Sequence, residues 1–269
     1  MLGAFFAGGV LPRITEWHTD SSVSREVFGN VPDPLYWAFY TTVSVMLLVV
    51  GWLAALRVRN YERGQPDDRR TTKTNAKRRL ADFRAGVWMQ TLLRDPAAGA
   101  MHSMIYFGFI VLFVATIVLE IDHQLPESMK FLYGGTYQGY SATADAAGVV
   151  FTVGIVWALA RRYLQRPYRI RIKSKPEHLV ILLVFLVIAV TGFLAEGFRI
   201  ALAGRPTFER WSFVGYPLSG WFDSMSADSL SDWHRWMWSA HAVAFVAFLV
   251  ILPTTMLRHM FTSPMNMYL

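Results

Sequence analysis

Long apolar segments separated by shorter polar ones dominate the hydrophobic pattern of this chain. Five segments have the roughly 20 apolar residues that a helix needs to cross a bilayer. Their expected bounds are 35–56, 97–123, 145–164, 178–203 and 233–257. None of them alternates between apolar and polar residues with period two, as the strands of a transmembrane β-barrel do. The pattern predicts an all-α membrane protein with five transmembrane helices.

Lysine and arginine are distributed unequally between the two sides of the predicted helix bundle. Segment 57–94 contains eleven of them, segment 161–175 contains seven, and Arg258 brings this side to nineteen. The opposite side has five, in residues 1–34, 124–144 and 204–232. Cytoplasmic loops carry the excess of Lys and Arg. We therefore expect the N-terminus outside and the C-terminus in the cytoplasm, in the cell (inner) membrane.

Composition agrees with a membrane protein and limits its chemistry. Hydrophobic residues make up 54% of the 269 residues and charged residues 17%, whereas soluble domains average about 25% charged residues. Cysteine is absent, which excludes disulfides, c-type haem attachment and iron–sulfur ligation by this chain. The net charge of +7 belongs to the basic loops, where membrane lipid is the expected contact, and nucleic acid is not an expected partner. We expect an extracytoplasmic segment 1–34, then a membrane domain 35–269 with 57–94 as a cytoplasmic basic loop.

Two histidines on the last predicted span give the first indication of chemistry. His241 and His259 are 18 residues apart, which is five helical turns, so they project from one face about 27 Å apart. That distance is close to the thickness of the hydrocarbon core. The pattern favours two stacked haems, one near each membrane face, over a single catalytic site. Pro253 lies between them and should kink the helix and re-aim His259.

The second predicted span carries histidines at matching levels. His102 lies near its cytoplasmic end and His123 at its outer end. Because the second and fifth spans are antiparallel, His102 can meet His259 at the inner level and His123 can meet His241 at the outer level. His234, seven residues before His241 and on the same face, is the alternative outer ligand. Two axial imidazoles leave haem iron no open position, so such a haem transfers electrons and binds no substrate.

Other classes of membrane protein are less well supported by the spans. A transporter needs polar groups near the middle of the membrane, where these spans have almost none. We find no nucleophile–base pair, no His-Glu-x-x-His and no phosphate-binding glycine loop in them. The alternative that stays open is a cofactor-free membrane anchor of a redox complex. The remaining histidines, His18 and His178, are expected in solvated or interfacial positions.

The stretch 241–264, HAVAFVAFLVILPTTMLRHMFTSP, resembles the last transmembrane helix of the nitrate reductase gamma subunit, a membrane cytochrome b. The shared pattern is a histidine, a proline twelve residues on, an arginine, a second histidine at eighteen and a proline soon after. The five-span topology is similar as well. The resemblance implies that His241 and His259 each ligate one b haem.

The second helix of that family supplies two more histidines. The first corresponds to His102, and the second, about ten residues on, falls at Leu112, which cannot ligate iron. Either His123 or His234 replaces the missing ligand, or the inner haem is the only one present. The antiparallel geometry of the two spans favours His123, and with it two haems.

The ending Phe-Thr-Ser-Pro-Met-Asn, residues 261–266, resembles the junction in a related group. In that group the membrane domain is fused to a cytoplasmic iron–sulfur module of the heterodisulfide-reductase type. The resemblance implies a cytoplasmic iron–sulfur subunit or fused C-terminal domain as partner, with electron-transfer flavoprotein as a further one. The expected function is electron transfer between that partner and membrane quinone. The chain would be a redox centre of an oxidoreductase and not a substrate-specific catalyst.

Quinone chemistry couples electrons to protons and needs titratable groups near a haem edge. On the outer side the candidates are Glu120, Asp122 and Lys130. The gamma-subunit family uses a lysine beyond its second helix, and the resemblance implies that role for Lys130 by position. The alternative for all three residues is ordinary interfacial charge.

Overall fold

A computed structural model describes residues 23–64, 72–90, 92–168, 172 and 174–268. All regular secondary structure in these residues is helical. In chain order the helices are α1 (Asp33–Glu62), α2 (Lys73–Val87), α3 (Pro96–Gln124), α4 (Gly134–Leu159), α5 (Pro176–Leu202), α6 (Ala227–Thr254) and α7 (His259–Tyr268). A π-helical turn, Ala160–Gln165, continues α4. His18 and most of the expected N-terminal segment lie outside the described residues.

Proline stands in the first turn of three of the long helices. Pro34 is the second residue of α1, and Pro96 and Pro176 are the first residues of α3 and α5. Its fixed φ and missing N–H suit the first helical turn, where the N–H would have no partner in the helix. Before α3, the carboxylate of Asp95 accepts a hydrogen bond from the amide of Ala98 at 3.2 Å. The sequence therefore defines where these helices begin.

Five helices, α1, α3, α4, α5 and α6, are long and apolar enough to cross a membrane. Large apolar side chains cover their outer faces. In α1, for example, Trp37, Leu48 and Trp52 are 64%, 75% and 63% exposed. Apolar surface of this extent belongs in lipid, because contact with water is unfavourable. The prediction of a helical protein with five helices of span length is confirmed for the residues that the structure describes.

The start of α4 differs from the prediction by eleven residues. The expected span began at Asp145, but the helix begins at Gly134. Its first turns are rich in glycine and polar residues, so their hydropathy is too low for a span. They are helical because they pack inside the protein, where Tyr137 and Ser141 are buried. Helix α6 likewise begins at Ala227, six residues before the expected start.

The basic segment 57–94, expected as a loop, contains helix α2. The hydroxyl of Thr72 caps this helix by accepting a hydrogen bond from the amide of Asn75 at 3.2 Å. Helix α2 packs against α7, where the side chain of Met267 lies directly on Gly86 and a Cβ at that glycine would collide with it. This part of the loop is therefore an ordered element docked on the C-terminal helix.

The prediction that His241 and His259 lie on one continuous helix is wrong. Helix α6 ends at Thr254, and His259 begins α7 after a 3-10 turn, Met256–Arg258. Pro253 removes a backbone donor and its ring crowds the preceding turn. Thr255 then adopts an extended conformation, with φ −109° and ψ −171°. The five-turn register does not hold, and the interruption is larger than the predicted kink.

The chain divides into two compact units, and the first comprises the described part of residues 1–31, 106–152 and 189–239. Its buried core includes Tyr137, Phe151, Phe198 and Ile200. Gly108 of α3 allows α4 to come very close. A Cβ on Gly108 would lie 2.9 Å from the backbone nitrogen of Phe151, so only glycine fits at this crossing without a shift.

The second unit comprises the described part of residues 32–105, 153–188 and 240–269. Its core is formed by apolar side chains that include Ile155, Phe185, Phe248 and Leu252. The rings of Phe185 and Phe248 have centroids 5.7 Å apart, which is within the range of favourable aromatic pairs. This core joins α4, α5 and α6 within the unit.

Candidate functional site

The second unit brings two of the four predicted haem ligands together. His102 lies in the second turn of α3, and His259 is the first residue of α7. Their ring centroids are 6.2 Å apart and their planes are inclined by 58°. An iron bound by two imidazoles gives about 6 Å between centroids, from about 2 Å for each metal–nitrogen bond and about 1 Å from nitrogen to centroid. The separation of the two rings fits axial ligation of one haem iron.

The hydrogen bond of the His259 ring leaves the lone pair on Nε2 available for a metal ion. Its Nδ1 lies 2.8 Å from the carbonyl oxygen of Met256. A carbonyl oxygen only accepts hydrogen bonds, so Nδ1 donates and the neutral ring keeps its lone pair on Nε2. Metal-ligating histidines commonly donate their second nitrogen to a carbonyl in this way. In His102 the Nδ1 atom is buried and has no hydrogen-bond partner within the described part of the chain.

His241 shows the same arrangement in helix α6. Its Nδ1 lies 3.0 Å from the carbonyl oxygen of Ile188 in α5. This bond fixes the ring orientation and leaves the Nε2 lone pair available, as at His259. His178, by contrast, lies in the first turn of α5, and its Nδ1 bonds to the backbone of Lys175, the residue that precedes the helix. This contact is local to the start of the helix.

His234, the alternative outer ligand, lies in the first unit and is buried. Its Nδ1 is 3.2 Å from the side-chain nitrogen of Asn30. The orientation of the Asn30 amide follows from its other contacts, because its oxygen accepts from Arg235 at 3.3 Å and from the hydroxyl of Ser231 at 2.9 Å. His234 Nδ1 therefore accepts, and the neutral ring carries its proton on Nε2. Such a ring has no free lone pair for iron.

His123, the first choice for the outer level, lies at the end of α3 and is half-buried. Its ring packs edge-on against Phe28, with centroids 5.2 Å apart. Phe28 in turn packs against Trp238 at 5.8 Å. Both ring contacts lie within the first unit.

The family model of the nitrate reductase gamma subunit matches residues 98–269. This is more than half of the chain and includes all of the proposed histidine ligands. The chain belongs to the nitrate reductase gamma subunit family. The resemblance recognised in residues 241–264 is thereby confirmed.

Two curated relatives match this gamma-subunit family chain. The EtfAB:quinone oxidoreductase of Syntrophomonas wolfei subsp. wolfei is 33% identical over 184 residues, which cover 65% of this chain and 25% of the relative. The probable iron-sulfur-binding oxidoreductase FadF of Bacillus subtilis is 23% identical over 244 residues, covering 88% and 33%. The chain thus matches a quarter to a third of the length of these relatives. No solved structure matches it.

Within the described residues of this gamma-subunit family chain, no group of three or more His, Cys, Asp or Glu side chains is arranged to hold a metal ion. A haem with two axial imidazoles needs only two protein ligands.

Asp122, one of the three candidate quinone residues, has a structural role. Its buried carboxylate accepts hydrogen bonds from the amides of Phe131 and Leu132, at 2.7 and 2.9 Å. These bonds hold the turn that leads from α3 into α4. Removing the carboxylate would leave two buried amides without their acceptor.

The other two candidates make local surface contacts. The amine of Lys130 pairs with the carboxylate of Glu127, three residues earlier. The carboxylate of Glu120 accepts a hydrogen bond from the side-chain amide of Gln124 at 2.8 Å. Both pairs lie within four residues along the chain, so local geometry accounts for each contact.

Sequence reasoning missed a buried polar network in the first unit. Glu209 is only 1% exposed, and its carboxylate accepts from the hydroxyl of Tyr137 at 2.9 and 3.0 Å. The guanidinium of Arg199 binds the same carboxylate at 2.6 Å. Ser212 donates to it at 3.3 Å and also contacts Ser141. These bonds tie α4, α5 and the segment that precedes α6.

A pair of carboxyl groups adjoins this network. Asp145 is 2% exposed, and its Oδ2 accepts from the amides of Val214 and Gly215, at 2.6 and 3.3 Å. The carboxyl of Glu196 packs on the same glycine, since a Cβ on Gly215 would lie 2.6 Å from its Cδ and Oε2. The signal was present in the sequence, since Asp145, Glu196 and Arg199 lie within predicted spans, where ionisable residues are costly and indicate function.

Proposed function

We propose that this chain is a b-type haem subunit that transfers electrons between a cytoplasmic redox partner and the membrane quinone pool. The observation that carries the proposal is the spacing of the His102 and His259 rings, 6.2 Å between centroids. Membership of the nitrate reductase gamma subunit family and the five span-length helices support it. Two of its relatives are a quinone oxidoreductase and an iron–sulfur oxidoreductase, which supports quinone as the substrate and an iron–sulfur protein as the partner.

His102 and His259 would hold the inner haem. Both imidazoles would bind the iron of a haem held here, and that haem would supply one-electron transfer. The carbonyl of Met256, 2.8 Å from His259 Nδ1, would keep the proton on that nitrogen. It would thereby keep the metal-binding lone pair on Nε2. Because α7 begins at His259, the backbone on both sides of the ligand is held in helical turns.

A second haem at the outer level remains a prediction from the sequence, with His241 and His123 as its ligands. The bond from His241 Nδ1 to the carbonyl of Ile188 supports a ligand role for His241. The bond between His234 and Asn30 supports the choice of His123 over His234 as the second ligand. Lys130, Glu120 and Asp122 stay the outer candidates for contact with quinone.

The proposed orientation has the N-terminus outside and the C-terminus in the cytoplasm of the inner membrane. Helix α2 would then present its basic residues to the cytoplasm beside α7, close to membrane lipid and to a partner. The partner would be an iron–sulfur subunit or fused domain, or an electron-transfer flavoprotein. The relatives are three to four times as long as the matched region, which supports a larger redox assembly.

The deciding experiment is a dithionite-reduced minus oxidised visible spectrum of the detergent-purified chain, with haem counted per polypeptide. We expect b-type haem, and loss of the inner haem in His102→Ala and in His259→Ala. His178→Ala is the matched control, because that imidazole bonds locally to the backbone of Lys175, and it should keep the full haem content. A folded, haem-supplied protein with no haem would overturn the proposal in favour of a cofactor-free membrane anchor.

A further inference from the structure

Helix α2 has an exposed face on which basic side chains lie beside large apolar ones. The members of this face follow one another at intervals of three or four residues, which keeps side chains on one side of an α-helix. They are Lys73, Lys77, Leu80, Arg84 and, at the end of the helix, Trp88. All five are exposed, with Leu80 at 60% and Trp88 at 57%. We call this row of residues the basic–apolar face.

The basic–apolar face is separate from the rest of α2. Asp82, the one acidic residue of the helix, is two residues from Leu80, and side chains two residues apart do not face each other. Gly86, on which Met267 of α7 packs, is likewise two residues before Trp88. The face therefore presents three cations and no carboxylate, and the contact with α7 leaves it uncovered.

The basic–apolar face leads to the start of a membrane span. Trp88 is eight residues before Pro96, the first residue of span α3. The 3-10 turn Leu92–Arg94 folds back on the first turns of α3, because a Cβ on Gly99 would lie 2.7 Å from the Cα of Leu93. The side chain of Leu93 is 46% exposed. Exposed apolar side chains thus continue from α2 to the point where α3 enters the membrane.

The contact between α2 and α7 fixes α2 at the same membrane face. Helix α7 packs on α2 and begins at His259, shortly after span α6 ends at Thr254. The ring of His259 lies beside that of His102, in the second turn of α3. The end of span α6 and the start of span α3 therefore meet at one face of the membrane. Helix α2 is joined to both, which places it beside the lipid head groups.

We propose that the basic–apolar face of α2 binds the anionic lipid surface at this side of the membrane. Lipid phosphates contact the three cations of the face, while Leu80 and Trp88 lie at the boundary with the acyl chains. Helices that lie on membrane surfaces combine Lys and Arg with Leu, Phe and Trp in this way, and Trp is enriched at the interface. The proposal rests on the five span-length helices and not on the proposed electron transfer.

Lipid fits this face better than a cytoplasmic protein does. The centre of a protein–protein interface is depleted in lysine, whereas Lys73 and Lys77 make up much of the basic–apolar face. A protein partner would also have to reach the level at which α3 begins, where lipid head groups surround the spans. Each Lys or Arg near an anionic surface strengthens attachment to it about fivefold, so three cations in one row favour anionic lipid over neutral lipid.

Because the chain contains no cysteine, a single spin label can be placed on either side of α2. Leu80→Cys and Asp82→Cys are labelled with a nitroxide in the full chain. Each is placed in nanodiscs of phosphatidylcholine alone or of phosphatidylcholine and phosphatidylglycerol in equal parts. Electron paramagnetic resonance measures access of an uncharged, water-soluble nickel chelate to the label. In anionic nanodiscs we expect position 80 to lose access to the chelate and gain access to oxygen, whereas position 82 stays accessible to the chelate.

Charge variants test which side chains bind the lipid. Lys73→Gln, Lys77→Gln and Arg84→Gln, combined in the labelled Leu80→Cys chain, should restore access of the chelate in anionic nanodiscs. Arg78→Gln is the matched control, because this exposed cation lies two residues from Leu80 and off the basic–apolar face; it should leave the protection unchanged. Equal access at position 80 in the two kinds of nanodisc overturns the proposal. Protection that appears only when a soluble redox partner is added also overturns it, in favour of a protein contact.

Discussion

The Nδ1 atom of His234 accepts a hydrogen bond from the side-chain nitrogen of Asn30, with 3.2 Å between the two nitrogens. Arg235, which can only donate, fixes the amide of Asn30 by bonding to its oxygen. The buried imidazole of His234 thus links the start of α6 to the segment before α1. In His241 and His259 the corresponding nitrogen donates to a carbonyl. This difference distinguishes His234 from His241 and His259, the two histidines that we propose as haem ligands.

We predict that His234→Ala keeps the haem content of the wild-type chain. The substitution removes one acceptor of Asn30 and one buried ring, and it should lower stability by about 1–3 kcal/mol. The measurement is haem per polypeptide by pyridine haemochrome, with thermal unfolding in the same detergent. His123→Ala is the comparison and should lose the outer haem if two are bound. A loss of haem in His234→Ala with normal content in His123→Ala would reverse the assignment.

The buried ion pair of Arg199 and Glu209 should contribute strongly to stability. Their contact is 2.6 Å, with side chains 14% and 1% exposed. Glu209→Gln keeps the shape and removes the charge, which leaves Arg199 without its carboxylate. We expect a loss of about 3–5 kcal/mol, as for other buried pairs that lose one partner. The unfolding midpoint of the purified variant measures it.

The matched control is the pair of Arg205 and Asp223, which has the same 2.6 Å contact but side chains 30% and 53% exposed. Solvent screens this pair, so Asp223→Asn should cost less than about 1 kcal/mol. Equal effects of Glu209→Gln and Asp223→Asn would show that burial of the first pair is not what stabilises it.

The sequence predicts the membrane helices well and the polar interior poorly. Apolar runs of span length are sufficient to find α1, α3 and α5, because lipid contact selects for them. The first turns of α4 escape the pattern, since Tyr137 and Ser141 are buried among protein groups. The partners of Glu209 are distant in sequence, 72 residues away in the case of Tyr137, and no local pattern encodes such a contact.

The pairing of His102 with His259 could be predicted from the sequence for a different reason. The second and fifth spans are antiparallel, so the start of the second and the end of the fifth lie at the same membrane face. This is enough to place His102 near His259. The break after Pro253 could be predicted only in part, because proline predicts a kink but not the extended backbone at Thr255. Despite the break, His259, the first residue of α7, has its ring centroid 6.2 Å from that of His102.

Close approach of α3 and α4 at Gly108 makes that glycine sensitive to substitution. A Cβ there would lie 2.9 Å from the backbone nitrogen of Phe151, and a backbone cannot move aside as a flexible side chain can. We expect Gly108→Ala to cost about 1–3 kcal/mol through forced separation of the helices. Gly51→Ala in α1 is the control, because a Cβ there meets nothing within 4 Å. It should be neutral or slightly stabilising, and equal losses in both variants would contradict the packing argument.

Thr255 joins the end of α6 to the segment that carries His259. Its hydroxyl donates to the carbonyl of Ile251 at 2.7 Å and accepts from the amide of Leu257 at 3.2 Å. The neighbouring Thr254 makes only the first kind of bond, to Val250 within α6. We predict that Thr255→Ala loosens the turn before His259 and costs about 1 kcal/mol, as loss of a helix cap does. It should also shift the midpoint potential of the proposed inner haem. Thr254→Ala should leave that potential unchanged in a redox titration. Identical titrations of the two variants would mean that the threonine bridge does not position His259.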